Sequence, residues 1–161
     1  MNHTHHTPDQ TKEKEAVVQH LGRLLASTYT LYLKTQNYHW NVTGPWFQSL
    51  HALFETEYTE LALAVDEIAE HIKTMGAHAP GSYTLYRQLS VIKDADDTNR
   101  PDAKAMLQQL VADHHAIVAL IQEGTATIAD QASYQTTMDL LVRRSQVHEK
   151  SLWMLNSSLE Q

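Results

Sequence analysis

The sequence predicts an all-α fold, a four-helix bundle built from two helical hairpins and one long crossover, and three observations carry that prediction. Four long segments repeat apolar residues at helical spacing. The chain holds only five Gly and four Pro in 161 residues, and most of them fall between those segments. Hydrophobic residues make up 42% of the chain, enough to bury the core of one domain without a disulfide or a structural metal.

Helix one is predicted from Lys12 to Tyr38, with Val17, Leu21, Leu24, Leu25, Tyr29, Tyr32 and Leu33 on its apolar side. It stops ahead of Asn41-Val42-Thr43-Gly44-Pro45, where Gly and Pro mark a turn. Helix two runs from Phe47 to Thr74 on the stripe Leu50, Phe54, Leu61, Val65, Ile68 and Ile72, and ends at Gly76, with Pro80 and Gly81 beyond. The stretch Ala77 to Asn99 is longer than adjacent antiparallel helices need and carries a short helix around Tyr83 to Ser90, so it reads as a crossover. Helix three begins near Pro101, where Asp102 suits the positive helix end, and closes at Glu123 before Gly124. Helix four covers Ser133 to Ser157 with Met138, Leu141, Val142, Leu152 and Leu155. Two hairpins joined by one long crossover define the ferritin-like variant of the four-helix bundle. Up-down-up-down topology competes, and periodicity alone does not separate the two. Residues 1–11 read as a flexible His-containing tail and 12–161 as the domain.

Composition excludes several chemistries. With no cysteine, there is no thiolate nucleophile, iron–sulfur cluster or cysteine-ligated zinc, so metal binding must use His, Asp or Glu. Twelve Lys and Arg against 19 Asp and Glu give a net charge of −7, which opposes binding to nucleic acid or an anionic membrane, and the basic residues form no stripe. No apolar run approaches the length of a membrane span, and the N-terminus lacks a signal-peptide core, so the expected compartment is the cytoplasm. Eleven histidines are many for so short a chain and point toward metal or proton chemistry.

Position sharpens that signal on helix two. His51 and Glu55 stand four residues apart, as do Asp66 and Glu70, so each pair shares a face. Taking His51 as zero, the four fall at about 0°, 40°, 60° and 100°, whereas the apolar stripe centres near 280°. The ligand-type residues therefore lie off the core. No histidine has a Glu three residues before it, which excludes the interior di-iron centre built on Glu-x-x-His pairs. The two pairs sit about 22 Å apart along one helix and cannot share a metal within a chain. Two copies of helix two crossing antiparallel near Glu60 or Leu61 would bring His51 and Glu55 of one against Asp66 and Glu70 of the other, twice over by symmetry. His39 joins them, because His39 and His51 are equally far from Pro45 in a tight hairpin. Tyr58 and Ala62, on the same face, are expected at the dimer contact. Imidazole with carboxylate suits iron, manganese or zinc. The competing reading makes these carboxylates, with Glu57, Glu60 and Glu67, a solvated helix face.

The stretch Lys34-Thr35-Gln36-Asn37-Tyr38-His39-Trp40-Asn41-Val42-Thr43-Gly44-Pro45, then Ser49-Leu50-His51-Ala52-Leu53-Phe54-Glu55, Asp66-Glu67-Ile68-Ala69-Glu70, and in helix four His148-Glu149-Lys150-Ser151-Leu152-Trp153-Met154-Leu155, resembles the Dps family, the mini-ferritins. The resemblance spans Leu21 to Leu155. It implies a hollow dodecamer built from twofold dimers, with His39, His51 and Glu55 from one subunit and Asp66 and Glu70 from its mate as both iron ligands and catalytic residues. It further implies a ferroxidase that oxidises Fe(II) with hydrogen peroxide or dioxygen and stores ferric mineral, limiting hydroxyl-radical damage, with zinc as a redox-inert surrogate. A DNA-condensing or metal-sequestering shell without turnover is the alternative.

Trp40, beside His39, and Trp46 are expected to pack the hairpin, with interception of an oxidising hole near the site as the alternative for either, and Trp40 is the one expected behind the ligands. His71, His78, His114 and His115 are expected at the surface or behind the ligands. The resemblance suggests Asp130, Asp139 and, less directly, Glu123 as lining an iron pore, although Tyr134 stands where the family often carries an aspartate. DNA binding is disfavoured because no Lys or Arg precedes Lys12 and the chain ends Leu159-Glu160-Gln161. Protonation of His3, His5 and His6 leaves a pH-dependent association with DNA open, and the same three could hold a separate metal.

Overall fold

The computed structural model describes residues 8–160. Its elements are α1 (Pro8–Asn41), α2 (Phe47–Thr74), the short α3 (Tyr83–Leu89), α4 (Ala103–Ile128), one turn of 3-10 helix (Ala132–Tyr134) and α5 (Gln135–Leu159). Helix α2 has its predicted bounds. Helix α1 begins at Pro8, four residues ahead of the predicted start at Lys12, and His3, His5 and His6 lie outside the described residues.

Two hairpins, α1–α2 and α4–α5, make the bundle, and α3 lies against α1. Cross-helix contacts decide the topology. Arg23 meets Glu123, Lys34 meets Asp113, and Tyr38 meets Gln109, so residue numbers rise on α1 as they fall on α4. These two helices are antiparallel. Up-down-up-down would make them parallel, so the long crossover over α3 is the observed connection. Helix α5 runs antiparallel to α2 in the same way, with Arg144 on Glu60 and His71 on Thr137.

Local chemistry fixes the ends. The chain turns at Gly44 with φ of 107° and at Gly76 with φ of 73°, a left-handed conformation that costs glycine little. At Gly76 the Ala77 amide donates to the Ile72 carbonyl at 3.3 Å and the Gly76 amide to Lys73 at 2.8 Å, a Schellman closure of α2. Asp102 caps α4 by accepting from the Ala105 amide at 2.8 Å. The predicted stop at Gly124 is wrong: α4 continues to Ile128. A Cβ at Gly124 would lie 2.4 Å from His20 Nε2, so this glycine makes room for a neighbouring ring inside the helix.

The core is aliphatic around Tyr38 and Phe54, with Leu21, Leu24, Leu25 and Leu31 of α1 against Leu61, Ile68 and Ile72 of α2 and Leu110, Ile117 and Ile121 of α4. No described helix is long and apolar enough to cross a membrane.

Candidate metal centre

The α1–α2 turn brings His39 and His51 face to face. Their rings stack at a centroid distance of 3.7 Å and an interplanar angle of 15°. His39 Nδ1 lies 2.7 Å from the His51 carbonyl, and His51 Nδ1 lies 2.7 Å from the His39 carbonyl. A carbonyl oxygen only accepts, so both Nδ1 atoms donate. Each ring, when neutral, therefore carries its lone pair on Nε2, the tautomer of a metal-ligating histidine whose other nitrogen is anchored to backbone. The exchange also satisfies the His39 carbonyl in the last turn of α1, where helix carbonyls lack intrahelical partners. Phe47 stacks on the outer side of His51 at 5.0 Å, and Tyr58 meets His39 edge-on at 5.1 Å.

Glu55, Asp66 and Glu70 are exposed, His51 is half-buried and His39 is buried. The structure thus joins two of the five predicted ligands directly, with Glu55 one turn further along α2. Asp66 and Glu70 lie far down the same helix, and among the described residues no three His, Asp or Glu side chains of one chain are placed to hold a metal ion together.

Both tryptophans depart from expectation. Trp40 is 60% exposed and Trp46 51%, so neither packs the hairpin. Asp130 and Asp139 are exposed, Asp139 accepting from Gln135 at 3.4 Å, and Glu123 pairs with Arg23 at 3.1 Å. His78 and His115 are exposed, as expected, while His71 is half-buried and bonded to Thr137 at 2.9 Å.

A second constellation was missed by the sequence reading. Glu57, placed above on a solvated face, and His114, placed near the surface, are both buried, together with Arg144 and His148. Glu60 and Glu67 are held too, by Arg144 and Arg143. Arg144 reaches Glu60 Oε2 at 3.0 Å and His148 Nε2 at 3.4 Å. Guanidinium only donates, so His148 Nε2 accepts and His148 Nδ1 gives its proton to His114 Nδ1, 2.9 Å away. His114 Nε2 then carries a proton toward Glu57 Oε2 at 3.9 Å, beyond hydrogen-bond reach. Burial pushes Glu57 up to about 8, opposed in part by the Ser151 hydroxyl. Burial also holds His114 down at about 3, reinforced by Arg144, and His148 well below the usual histidine value. Each imidazole lone pair in the cluster already has a donor, while the His114 Nε2 proton and the Glu57 carboxyl oxygens stay buried without a hydrogen bond. The signal for it was available, since His114 continues the stripe Leu107, Leu110, Ile117 and Glu57 the stripe Leu50, Phe54, Leu61.

Residues 18–161 match the ferritin-like domain family. The chain is 36% identical over 150 residues to a low temperature-induced protein of Nostoc, covering 92% of this chain and 83% of that protein. It is 33% identical to DNA protection during starvation protein 2 of Bacillus anthracis, covering 90% and 97%. Among solved structures, the Vibrio cholerae DPS protein, described as a ferritin-like diiron-carboxylate protein, superposes with a TM-score of 0.88 at 30% identity, covering 99% of this chain and all of that one.

Proposed function

Because this chain belongs to the Dps family of ferritin-like proteins, whose general role is iron storage, we propose that it is a ferroxidase acting at a site shared between two subunits. One observation carries the reading: the paired His39 and His51 rings are locked by backbone carbonyls into the tautomer that presents Nε2 lone pairs. With Glu55 they form a half-site, and Asp66 and Glu70 of a twofold-related copy complete it. Imidazole and carboxylate together bind ferrous iron and keep hold of it as its charge rises on oxidation. Hydrogen peroxide is the natural oxidant for paired ferrous ions, since two electrons pass to it with no radical product: 2 Fe(II) + H2O2 + 2 H+ gives 2 Fe(III) and two waters. Dioxygen is the slower alternative. The ferric product enters the cavity of a closed shell, a dodecamer in this reading, and the acidic Asp130, Asp139 and Glu123 supply an entry path. Zinc occupies the same ligands without turnover.

The test is complementation. Anaerobic Fe(II) loading followed by stoichiometric peroxide gives rapid ferric absorbance in the wild type and neither in His39→Ala nor in Asp66→Ala. Co-assembled in equal amounts, the two variants regain about a quarter of the wild-type sites, because each mixed dimer keeps one intact centre. Two inactive variants with no recovery on mixing would place the site within one chain, and unchanged oxidation in both would remove these residues from the chemistry.

A further inference from the structure

The rings around His39 do not stop at Tyr58. Tyr58 faces Tyr32 at a centroid distance of 6.2 Å, Tyr32 faces Tyr29 at 5.7 Å, and Tyr29 contacts both Tyr83 at 6.4 Å and Tyr86 at 5.1 Å. With Tyr58 5.1 Å from His39, an unbroken file of phenols leads from the candidate metal centre, along α1, to the crossover helix. It ends at Tyr83, which is 74% exposed. Ring packing alone does not require phenols at Tyr32 and Tyr58, where Phe would fill the same space; Tyr86 also donates its hydroxyl to the Pro80 carbonyl at 2.8 Å, and five of the chain's seven tyrosines stand in this one file. Electron tunnelling decays exponentially with distance, so steps between touching rings are fast. A phenol is oxidised by one electron on losing its proton, which a phenyl ring is not.

We propose that this file is a hole relay that carries one-electron oxidising equivalents from the His39–His51 site to Tyr83 and Tyr86. The source rests on the ferroxidase reading. When peroxide meets a site holding a single ferrous ion, only one electron is available: Fe(II) + H2O2 + H+ gives Fe(III), water and a hydroxyl radical. The Tyr58 phenol transfers a hydrogen atom to that radical, forming water and the Tyr58 tyrosyl. Electron and proton then pass from Tyr32 to Tyr58, from Tyr29 to Tyr32, and from Tyr83 or Tyr86 to Tyr29, each step restoring the preceding phenol. A soluble hydrogen-atom donor such as ascorbate reduces the terminal radical at exposed Tyr83. Where a second hole arrives first, two neighbouring tyrosyls couple through one carbon–carbon bond to give dityrosine. The relay thus handles the incomplete turnover that the two-electron reaction cannot.

The relay is testable without iron. The chain has no cysteine, so Thr43→Cys, in the turn beside the histidine pair, takes a single ruthenium photosensitiser on the full-length assembled protein. Repeated flashes with an irreversible oxidative quencher should give a tyrosyl EPR signal and a dityrosine cross-link joining Tyr29 to Tyr83 or Tyr86, mapped by mass spectrometry. Tyr32→Phe keeps the ring and should abolish that cross-link while leaving a radical at Tyr58. Tyr29→Phe, a second interruption, should confine the radical to Tyr58 and Tyr32. Cross-linking to Tyr83 or Tyr86 that persists undiminished in Tyr32→Phe, or no tyrosyl signal at all, overturns the relay. A parallel arm uses substoichiometric Fe(II) and peroxide. The same cross-link there, lost in Tyr32→Phe, supports its feed from the metal site, whereas a relay active under light and silent with iron overturns that feed and leaves the relay standing.

Discussion

At the α1–α2 turn, His39 and His51 give their Nδ1 protons to backbone carbonyls and keep both Nε2 lone pairs free of protein partners among the described residues. In the bundle interior, His114 and His148 use one ring's lone pair for the other's proton and the second lone pair for Arg144. Both regions contain histidine and glutamate. They differ in what the imidazole hydrogen bonds to. A backbone carbonyl consumes a proton and frees a lone pair for a cation, whereas a neighbouring imidazole or guanidinium consumes the lone pair itself. Residue type alone therefore does not distinguish a metal site from a structural polar core.

The sharpest way to break this comparison is to exchange the lesions. His39→Ala removes a free lone pair and should weaken binding of Co(II), a spectroscopic stand-in for Fe(II), by about 100-fold, the upper end of what even an indirect ligand-support defect costs. His148→Ala removes only interior contacts and should leave the Co(II) spectrum and affinity of the folded protein unchanged while lowering its unfolding temperature. If His148→Ala lost Co(II) as well, the interior cluster would be part of the metal centre.

Much of this was legible in the sequence, for identifiable reasons. The bounds of α2 follow from a clean apolar stripe between a Gly-Pro turn and Gly76, and the His39–His51 pairing follows from their equal spacing about Pro45. The interior cluster escaped because His114 and His148 lie 34 positions apart on different helices, and spacing rules see only neighbours on one helix. The partner of a buried polar residue is a tertiary fact, although its place on an apolar stripe is not. The exposure of Trp40 and Trp46 escaped likewise, since hydrophobic character does not say which partner covers a side chain.

The interior cluster makes a smaller, pH-dependent prediction. Glu57 titrates near 8 in the folded chain against 4.5 when solvated, so the folded protein binds an extra proton between those values. Its contribution to stability is complete below about pH 4.5 and is lost as pH rises through 8. Glu57→Gln, which mimics the protonated carboxyl, should flatten this alkaline decline and be more stable than the wild type at pH 8 by a few kcal/mol on the order-of-magnitude conversion of a shift into energy. At pH 5 the two should be nearly equal. The acid limb stays in both proteins, because His114, held at about 3 by burial, costs stability as pH falls below its ordinary 6.5. Urea melts across pH check this, and equal alkaline slopes would mean that Glu57 is already ionised in the fold.

The smallest effect concerns a third way of housing histidine, neither anchored to backbone carbonyls with a free lone pair nor part of the interior network. His20 fills the space left by Gly124, its Nε2 buried without a hydrogen bond, and burial lowers its pKa. In Gly124→Ala the new methyl would fall 2.4 Å from Nε2 and 2.6 Å from Cδ2, with Leu141 Cδ1 at 3.1 Å. The close atoms belong to the far edge of a half-buried side chain, so the ring can swing out. Ala in mid-helix gains about 0.5–1 kcal/mol over Gly, and the displaced ring contacts offset it, leaving a net change within about 1 kcal/mol at pH 8. Freed from burial, His20 should titrate closer to 6.5 by NMR. The depressed pKa costs the wild type stability as pH falls below 6.5, so the variant should gain on it at pH 5 relative to pH 8. A His20 titration unchanged by the new methyl would show that the ring stays in place and that Leu141 or the helix yields instead.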